Sequence, residues 1–204
     1  MKKHIFLYSI VLILISGAVI ASNYTGDTFV YNSVTSSQET NKDPHENYNK
    51  IMDVIMSPRC INCHPNDHIP KQADDGHPHY FGIARGENNH GFEAINCATC
   101  HQSTNNDYSG VPGAPEWSLA PAEMFWEGLS RKEIAESMMD PMRNGGRTAE
   151  ETMHHLTEHE LVLWAWEPGI KADGTPREIP PVPLEEYKKA VKAWIADGAI
   201  IPED

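Results

Sequence analysis

The sequence has few basic residues, only four cysteines and no stretch in which apolar and polar residues alternate. It contains 16 Lys and Arg against 29 Asp and Glu in 204 residues, a formal net charge of −13. Such an excess of negative charge repels nucleic acid, which argues against a DNA- or RNA-binding protein. The lack of alternation gives no support for a sheet of any size.

The longest apolar run lies at the amino terminus, in "MKKHIFLYSIVLILISGAVIA". Two lysines precede the run, and the small-residue pattern Val19-x-Ala21 ends it, which is the layout of a secretory signal cleaved near Ala21. An uncleaved membrane anchor is the alternative, although the run is at the short limit for crossing a bilayer. No cysteine follows the run, which argues against a lipoprotein anchor. We therefore expect a periplasmic protein with no stable membrane insertion.

The chain divides into three parts on composition. Residues 1–21 are the expected signal peptide, and residues 22–43, rich in Ser, Thr and Asn, are typical of a flexible polar linker. Residues 44–204 are enough for one domain with a single core.

Within that domain the apolar spacing predicts helices joined by long irregular connections. Apolar residues at 48, 51, 52, 55 and 56 form one helix face before the first cysteine, and residues 65–108 show only loop signals. "SRKE" at Ser130 and "TAEE" at Thr148 have the form of capping boxes, which open helices running to Met142 and towards Trp166. A last helix runs from Leu184 until Gly198 ends it. The expected fold class is mainly α.

The four cysteines form two pairs of identical form, and a histidine directly follows each pair: Cys60, Cys63 and His64, then Cys97, Cys100 and His101. This Cys-x-x-Cys-His pattern is the attachment signature of c-type haem, in which two thiols form thioethers and the histidine binds the iron. Two Cys-x-x-Cys pairs also suit a zinc site, but zinc gives no reason for both histidines. A thioredoxin-type thiol motif would occur once, in a βαβ setting. The sequence thus predicts two haem c groups.

Only 33 residues separate Cys63 from Cys97. This is too short for an independent domain around each haem, and no repeat accompanies the two motifs. We therefore predict a small helical c-type cytochrome in which long loops wrap two haems in one shared core.

The second axial ligand of each iron decides between electron transfer and catalysis, and several histidines are candidates. His68 is only four residues beyond His64, which places it on the proximal side of that haem. His77 and His79 flank Pro78 in "DGHPHYFG", a stiff turn able to hold an imidazole over a haem. The remaining histidines beyond the expected signal are His45, His90, His154, His155 and His159.

On the helix that Thr148 opens, His155, His159, Val162 and Trp166 fall on one stripe, whereas His154 lies on the solvated side. His155 and His159 are one turn apart and form an alternative metal-binding pair. For each of these histidines, an ordinary hydrogen-bonded imidazole is the competing interpretation. Met124, in the aromatic segment "AEMFWEGLS", offers a thioether as an alternative ligand.

The sequence resembles the small periplasmic dihaem cytochromes labelled as isoquinoline oxidoreductase subunits. The resemblance runs from about Arg59 to Pro202 and rests on "RCINCHP", "DDGHPH", "CATCHQ", "PGAPEW", "MFWEGLS", "DPMRNGGR", "LVLWAWEPG" and "AWIADGA". It implies functional roles for His79, Met124 and His155. It also implies that a cysteine pair found in relatives is absent here, since Ala135 and Ile201 occupy those positions.

Together these features predict a periplasmic electron carrier, with His79 and His155 as distal ligands and Met124 as their alternative. The competing function is a peroxidase-like dihaem enzyme in which one iron keeps an open site. Without the two lysines of the signal, 14 basic residues face 29 acidic ones, a net charge of about −15. This charge favours a redox partner with a basic docking face, or serves solubility alone. The family label implies a molybdenum hydroxylase as partner; this chain has no molybdopterin or flavin motif.

Overall fold

The computed structural model describes residues 43–203. The expected signal peptide (1–21) and all but the last residue of the expected linker (22–43) lie outside these residues. Across residues 43–203, no helix has the length and apolar character needed to cross a membrane.

Six helices make up most of the regular structure of the described part of the chain. In chain order they are α1 (Glu46–Ile55), α2 (Pro58–Ile61), α3 (Arg131–Met139), α4 (Ala149–Glu158), α5 (Glu160–Leu163) and α6 (Leu184–Ala196). Short 3₁₀ turns occur at Tyr80–Gly82, Cys97–Thr99, Ala122–Met124 and Trp164–Trp166.

The core forms where α1 and α4 pack against α6. The apolar face expected on α1 is present at residues 48, 51, 52 and 55, and Ile51 and Met52 are completely buried on it. Met56, also expected on this face, follows the helix and is exposed. Tyr187 and Val191 are the matching buried residues of α6. Burial of each large apolar side chain contributes roughly 1.5–3 kcal/mol, so this face joins the first and last helices of the described residues.

Both predicted capping boxes are confirmed. The Ser130 hydroxyl accepts from the backbone N–H of Glu133, whose carboxylate accepts from the Ser130 N–H, and Thr148 and Glu151 repeat the arrangement at α4. Each box satisfies two of the donors that a helix start leaves unpaired, and this fixes where α3 and α4 begin.

The predicted ends of these two helices are wrong. Helix α3 ends at Met139 because Asp140 precedes Pro141 and adopts an extended conformation, so Met142 lies outside the helix and is exposed. The helix that Thr148 opens is interrupted at His159, which has extended backbone angles (φ −72°, ψ 124°). His159 therefore ends α4 and caps α5.

Residues 65–108 are largely irregular, as predicted, but they contain two minimal hairpins. Strand β1 (Lys71–Gln72) pairs with β2 (His77–Pro78), and β3 (Gly91–Phe92) pairs with β4 (Ile95–Asn96), both antiparallel. Gly91 has φ +88°, and a Cβ at this position would lie 2.6 Å from the Ile95 carbonyl oxygen. Strands of two residues are too short to leave a periodic pattern in the sequence.

Ala135 and Ile201, which replace the implied cysteine pair, belong to neighbouring parts of the structure. Ala135 is completely buried in α3, and Ile201 packs against the same core. Lys132, also on α3, forms a 2.6 Å ion pair with Glu203 near the end of the chain. Apolar packing and this ion pair therefore hold the carboxy-terminal segment on α3.

Candidate functional site

The first Cys-x-x-Cys-His motif begins on the short helix α2. Pro58 occupies its first turn, where the missing N–H costs nothing, and the helical turn places Cys60 and Cys63 on the same side. Both thiols and His64 line a cavity of about 500 Å³, which we call cavity 1.

Main-chain hydrogen bonds hold the segment 120–127 against this motif. The backbone N–H of Ala120 donates to the Cys63 carbonyl, and the N–H of Trp126 donates to the His64 carbonyl, both over 3.0 Å. His64 Nδ1 in turn lies 2.9 Å from the Met124 carbonyl oxygen. A carbonyl only accepts, so Nδ1 carries the proton and Nε2 is the nitrogen available to a metal.

The His64 ring is also held by stacking and is uncharged. It lies parallel to the Trp126 indole, with ring centroids 3.5 Å apart and planes 5° apart. Burial lowers the pKa of His64 to about 4, against the opposing effect of the Met124 carbonyl. Neutral imidazole is the form that binds metals, and a backbone carbonyl on the other ring nitrogen is the usual partner of a metal-binding histidine.

The second motif has the same arrangement, built from unrelated sequence. The Asn96 side chain caps the turn Cys97–Thr99, and Cys97, Cys100 and His101 line a cavity of about 550 Å³, cavity 2. His101 Nδ1 donates to the Pro112 carbonyl over 2.7 Å. Its ring stacks on Trp117 with centroids 4.5 Å apart and planes 8° apart, and burial lowers its pKa.

The two cavities adjoin. They share four lining residues, which are Arg59, Cys63, Ser118 and Leu119. All four cysteines are free thiols. Cys60 lines cavity 1 only, Cys97 and Cys100 line cavity 2 only, and Cys63 lies between the two. In the described region no three or more His, Cys, Asp and Glu side chains are grouped as a metal site.

Burial raises the pKa of the Cys60 thiol to about 12 and that of Cys63 to about 11. A redox-active dithiol of the thioredoxin type has a lowered thiol pKa. The environment of this pair therefore does not favour thiol–disulfide exchange.

His155 and His159 both line cavity 1. Burial, followed by the charge of Arg147, lowers the pKa of His155 to about 3, so His155 is also neutral. The two rings lie 4.8 Å apart. His159 Nε2 is 3.2 Å from a Glu116 carboxylate oxygen, and its Nδ1 is buried without a hydrogen-bond partner.

His79 lines cavity 2 across from the second motif. Its Nδ1 donates to the Tyr80 carbonyl over 2.9 Å, so Nε2 is again the nitrogen available to a metal. The ring centroids of His79 and His101 lie 6.1 Å apart. Two imidazoles on opposite sides of one metal ion, each with a metal–nitrogen distance of about 2 Å, are separated by about 6 Å. The separation of the two ring centroids thus matches that of a pair of histidines on one metal ion, and their planes are 71° apart.

Met124 is buried and lines cavity 1. Its backbone lies behind the His64 ring, on the Nδ1 side, because its carbonyl accepts the Nδ1 proton.

The other histidines named from the sequence differ in whether they line a cavity. His90 lines cavity 1, whereas His45, His68, His77 and His154 line neither cavity.

His77 has partners on both ring nitrogens, Asp75 on Nδ1 and Gln72 on Nε2. Sequence reasoning did not single out Trp117, Trp126 or Arg59 as site residues. Trp117 and Trp126 lie in blocks that carry the family resemblance, and Arg59 directly precedes the first cysteine.

The mouth of cavity 2 carries exposed apolar side chains. Phe81 is 86% exposed and Ile95 44% exposed, although both line this cavity. Cys100 is exposed as well, whereas the cysteines of the first motif are partly buried. Phe81, Ile95 and Cys100 therefore give cavity 2 an exposed, largely apolar rim.

Comparison with protein-family models, curated proteins and solved structures finds no significant match to this chain.

Proposed function

We propose that this protein is a periplasmic electron carrier with two covalently attached c-type haems, one in each cavity. One observation carries the proposal: each Cys-x-x-Cys-His histidine lines a cavity of its own and donates its Nδ1 proton to a main-chain carbonyl, at 2.9 Å for His64 and 2.7 Å for His101. The two motifs lie in different surroundings, yet each holds its histidine in the same way, and this supports the same role for both.

The residues fit the proposed groups. Cys60 and Cys63 in cavity 1, and Cys97 and Cys100 in cavity 2, supply the thiols for thioether attachment. The volumes of the cavities, about 500 and about 550 Å³, are within the range of sites for large organic cofactors. A c-type haem supplies a reversible one-electron change at its iron. His64 and His101, which directly follow the two cysteine pairs, would be the proximal ligands.

We assign the distal positions to His79 in cavity 2 and His155 in cavity 1. The 6.1 Å separation of the His79 and His101 rings supports the first assignment. The second assignment is supported because His155 is neutral and lines cavity 1. The Met124 carbonyl accepts the Nδ1 proton of His64, so the Met124 backbone lies on the side of His64 that faces away from the proposed iron. This position favours a packing role for the Met124 side chain over a role as distal ligand.

Histidine ligands on both faces of both irons would leave no position for a substrate. This favours electron transfer over the alternative, a peroxidase-like dihaem enzyme. The acidic surface favours a redox partner with a basic docking face, and the exposed apolar rim of cavity 2 offers one approach to a haem. The family resemblance points to a molybdenum hydroxylase as that partner.

The proposal is tested by producing the protein, exported, together with a c-type haem maturation system. We expect a mass increase of two haems per chain and the reduced spectrum of thioether-linked haem. Cys60→Ala with Cys63→Ala should remove one haem, and Cys97→Ala with Cys100→Ala should remove the other. A folded protein that binds zinc through its thiols and takes up no haem would refute the proposal.

Electron paramagnetic resonance of the oxidised protein separates the two functions. Two low-spin ferric signals are expected of a carrier. A stable high-spin signal in the unmodified protein, together with turnover of peroxide, would identify the enzyme instead.

A further inference from the structure

Arg59 lies in the wall between the two cavities. Its side chain is 4% exposed, and it lines both cavity 1 and cavity 2. Arginine is rarely buried to this extent unless its charge has a partner. Its position makes it the shared cation of the two proposed haem sites.

The contacts of Arg59 use only part of its hydrogen-bonding capacity. Nη2 donates to a carboxylate oxygen of Asp74 at 2.7 Å and to the Ala73 carbonyl at 3.1 Å, and the guanidinium lies 6.0 Å from the centre of the Trp164 ring. The Nε–H is buried and has no partner in the protein. A buried donor without a partner is costly, so this N–H calls for an acceptor supplied by a bound group.

Asp74 does not neutralise this region fully. The same carboxylate forms an ion pair with Lys171 at 2.7 Å, and Arg177, partly buried, also lines cavity 2. Arg59 and Lys171 thus share one carboxylate, and the hydrogen bonds of Arg177 go to main-chain carbonyls, in a protein whose net charge is −13. A local positive excess in an acidic chain favours an anionic ligand.

We propose that Arg59 donates its Nε–H to a haem propionate and raises the reduction potentials of both haems. The proposal rests on the two-haem function proposed above. Oxidation adds a positive charge to each iron, and a buried cation next to both sites opposes that charge in a medium of low dielectric constant. The propionate supplies the acceptor that the buried N–H lacks.

The test is a potentiometric titration of the two-haem protein, followed by electron paramagnetic resonance so that each haem is observed separately. His79→Ala and His155→Ala assign the two signals. In Arg59→Gln we expect both potentials to fall, with a change in the infrared carboxylate bands of a propionate. Arg59→Lys keeps the charge and should retain most of both potentials, while it loses the Nε contact.

Two further arginines provide matched controls, because each lines one cavity only. Arg147→Gln should lower the potential of the haem in cavity 1, and Arg177→Gln that of the haem in cavity 2. Asp74→Asn removes the counter-charge and leaves Arg59 in place, so both potentials should rise. This variant keeps the test decisive if Arg59→Gln fails to fold.

The outcomes distinguish this inference from the proposed function. If the chain carries no haem, the function itself is wrong. If two haems are present but Arg59→Gln shifts one potential or neither, or Asp74→Asn lowers the potentials, the role of Arg59 is refuted and the carrier function stands.

Discussion

The imidazole of His64 lies flat against the indole of Trp126, with ring centroids 3.5 Å apart. The indole is itself fixed, because it is 3% exposed and its Nε1–H donates to the Ser137 hydroxyl on α3 over 3.4 Å. The orientation of the His64 ring therefore depends on the packing of a helix more than 60 residues away in sequence.

Trp126→Ala should destabilise the protein by about 3–5 kcal/mol, because it removes a large buried side chain together with its stack on His64. Trp126→Phe keeps a ring at this position and loses the bond to Ser137, so we expect a smaller loss. The measurement is urea unfolding of the two-haem protein. Equal stability of Trp126→Ala and the unmodified protein would contradict the supporting role of the indole.

His79→Ala and His155→Ala should each convert one low-spin ferric signal to high spin and leave the other unchanged, because each removes one distal nitrogen. His159→Ala is the control, since His159 lines cavity 1 and contacts His155. Low-temperature electron paramagnetic resonance provides the readout. Conversion by His159→Ala in place of His155→Ala would move the ligand to His159, and a methionine charge-transfer band in the near infrared would move it to Met124.

Asp74→Asn should reduce the loss of stability in acid. Burial opposes ionisation of Asp74, but the Lys171 hydrogen bond and the charge of Arg59 outweigh it and lower the pKa of Asp74. A lowered carboxyl pKa stabilises the fold above the unfolded value of about 3.9, and this stabilisation is lost as the pH falls through the folded pKa.

The midpoint of urea unfolding, followed from about pH 6 to about pH 2.5, measures this difference. Asp53→Asn is the control, because it removes one carboxylate from an exposed ion pair with Arg131. The acid dependence of the control should match that of the unmodified protein. An equally steep dependence in Asp74→Asn would show that Asp74 is not responsible.

Electron exchange with small redox reagents should depend on the sign of their charge. With a net charge of −13 on the chain, cationic reagents should react faster than anionic ones at low salt, by about tenfold or more. Added salt should slow the cationic reaction and speed the anionic one, because it screens both interactions. Stopped-flow rates measured with one reagent of each sign are sufficient. If the rates do not change with salt, the negative charge does not steer redox partners and serves solubility only.

Features that depend on neighbouring residues were predictable from the sequence. The capping boxes at Ser130 and Thr148 use contacts three residues apart, and their prediction was correct. The end of α3 also has a local signal, Pro141, although the predicted helix extends to Met142. The interruption at His159 has no such signal, because neither glycine nor proline accompanies it, and the backbone there is set by tertiary packing.

The candidate site divides in the same way. The Cys-x-x-Cys-His motifs are local patterns, and the sequence identified all six of their residues. Trp117 and Arg59 act through partners far along the chain, such as the pairing of Arg59 with Asp74. A single tryptophan or arginine in a sequence does not show which distant residue it contacts, so these contacts could not be predicted.

The two adjoining cavities also bear on how the chain is handled before it functions. A cavity of about 500 Å³ that holds no cofactor leaves its apolar lining in contact with water, so the fold lacks the stabilisation that a bound group would contribute. If the proposed function holds, a chain without its haems should be more open to proteases than a loaded chain. The amount of this protein that accumulates would then report the supply of haem, because degradation removes each copy that was left incomplete.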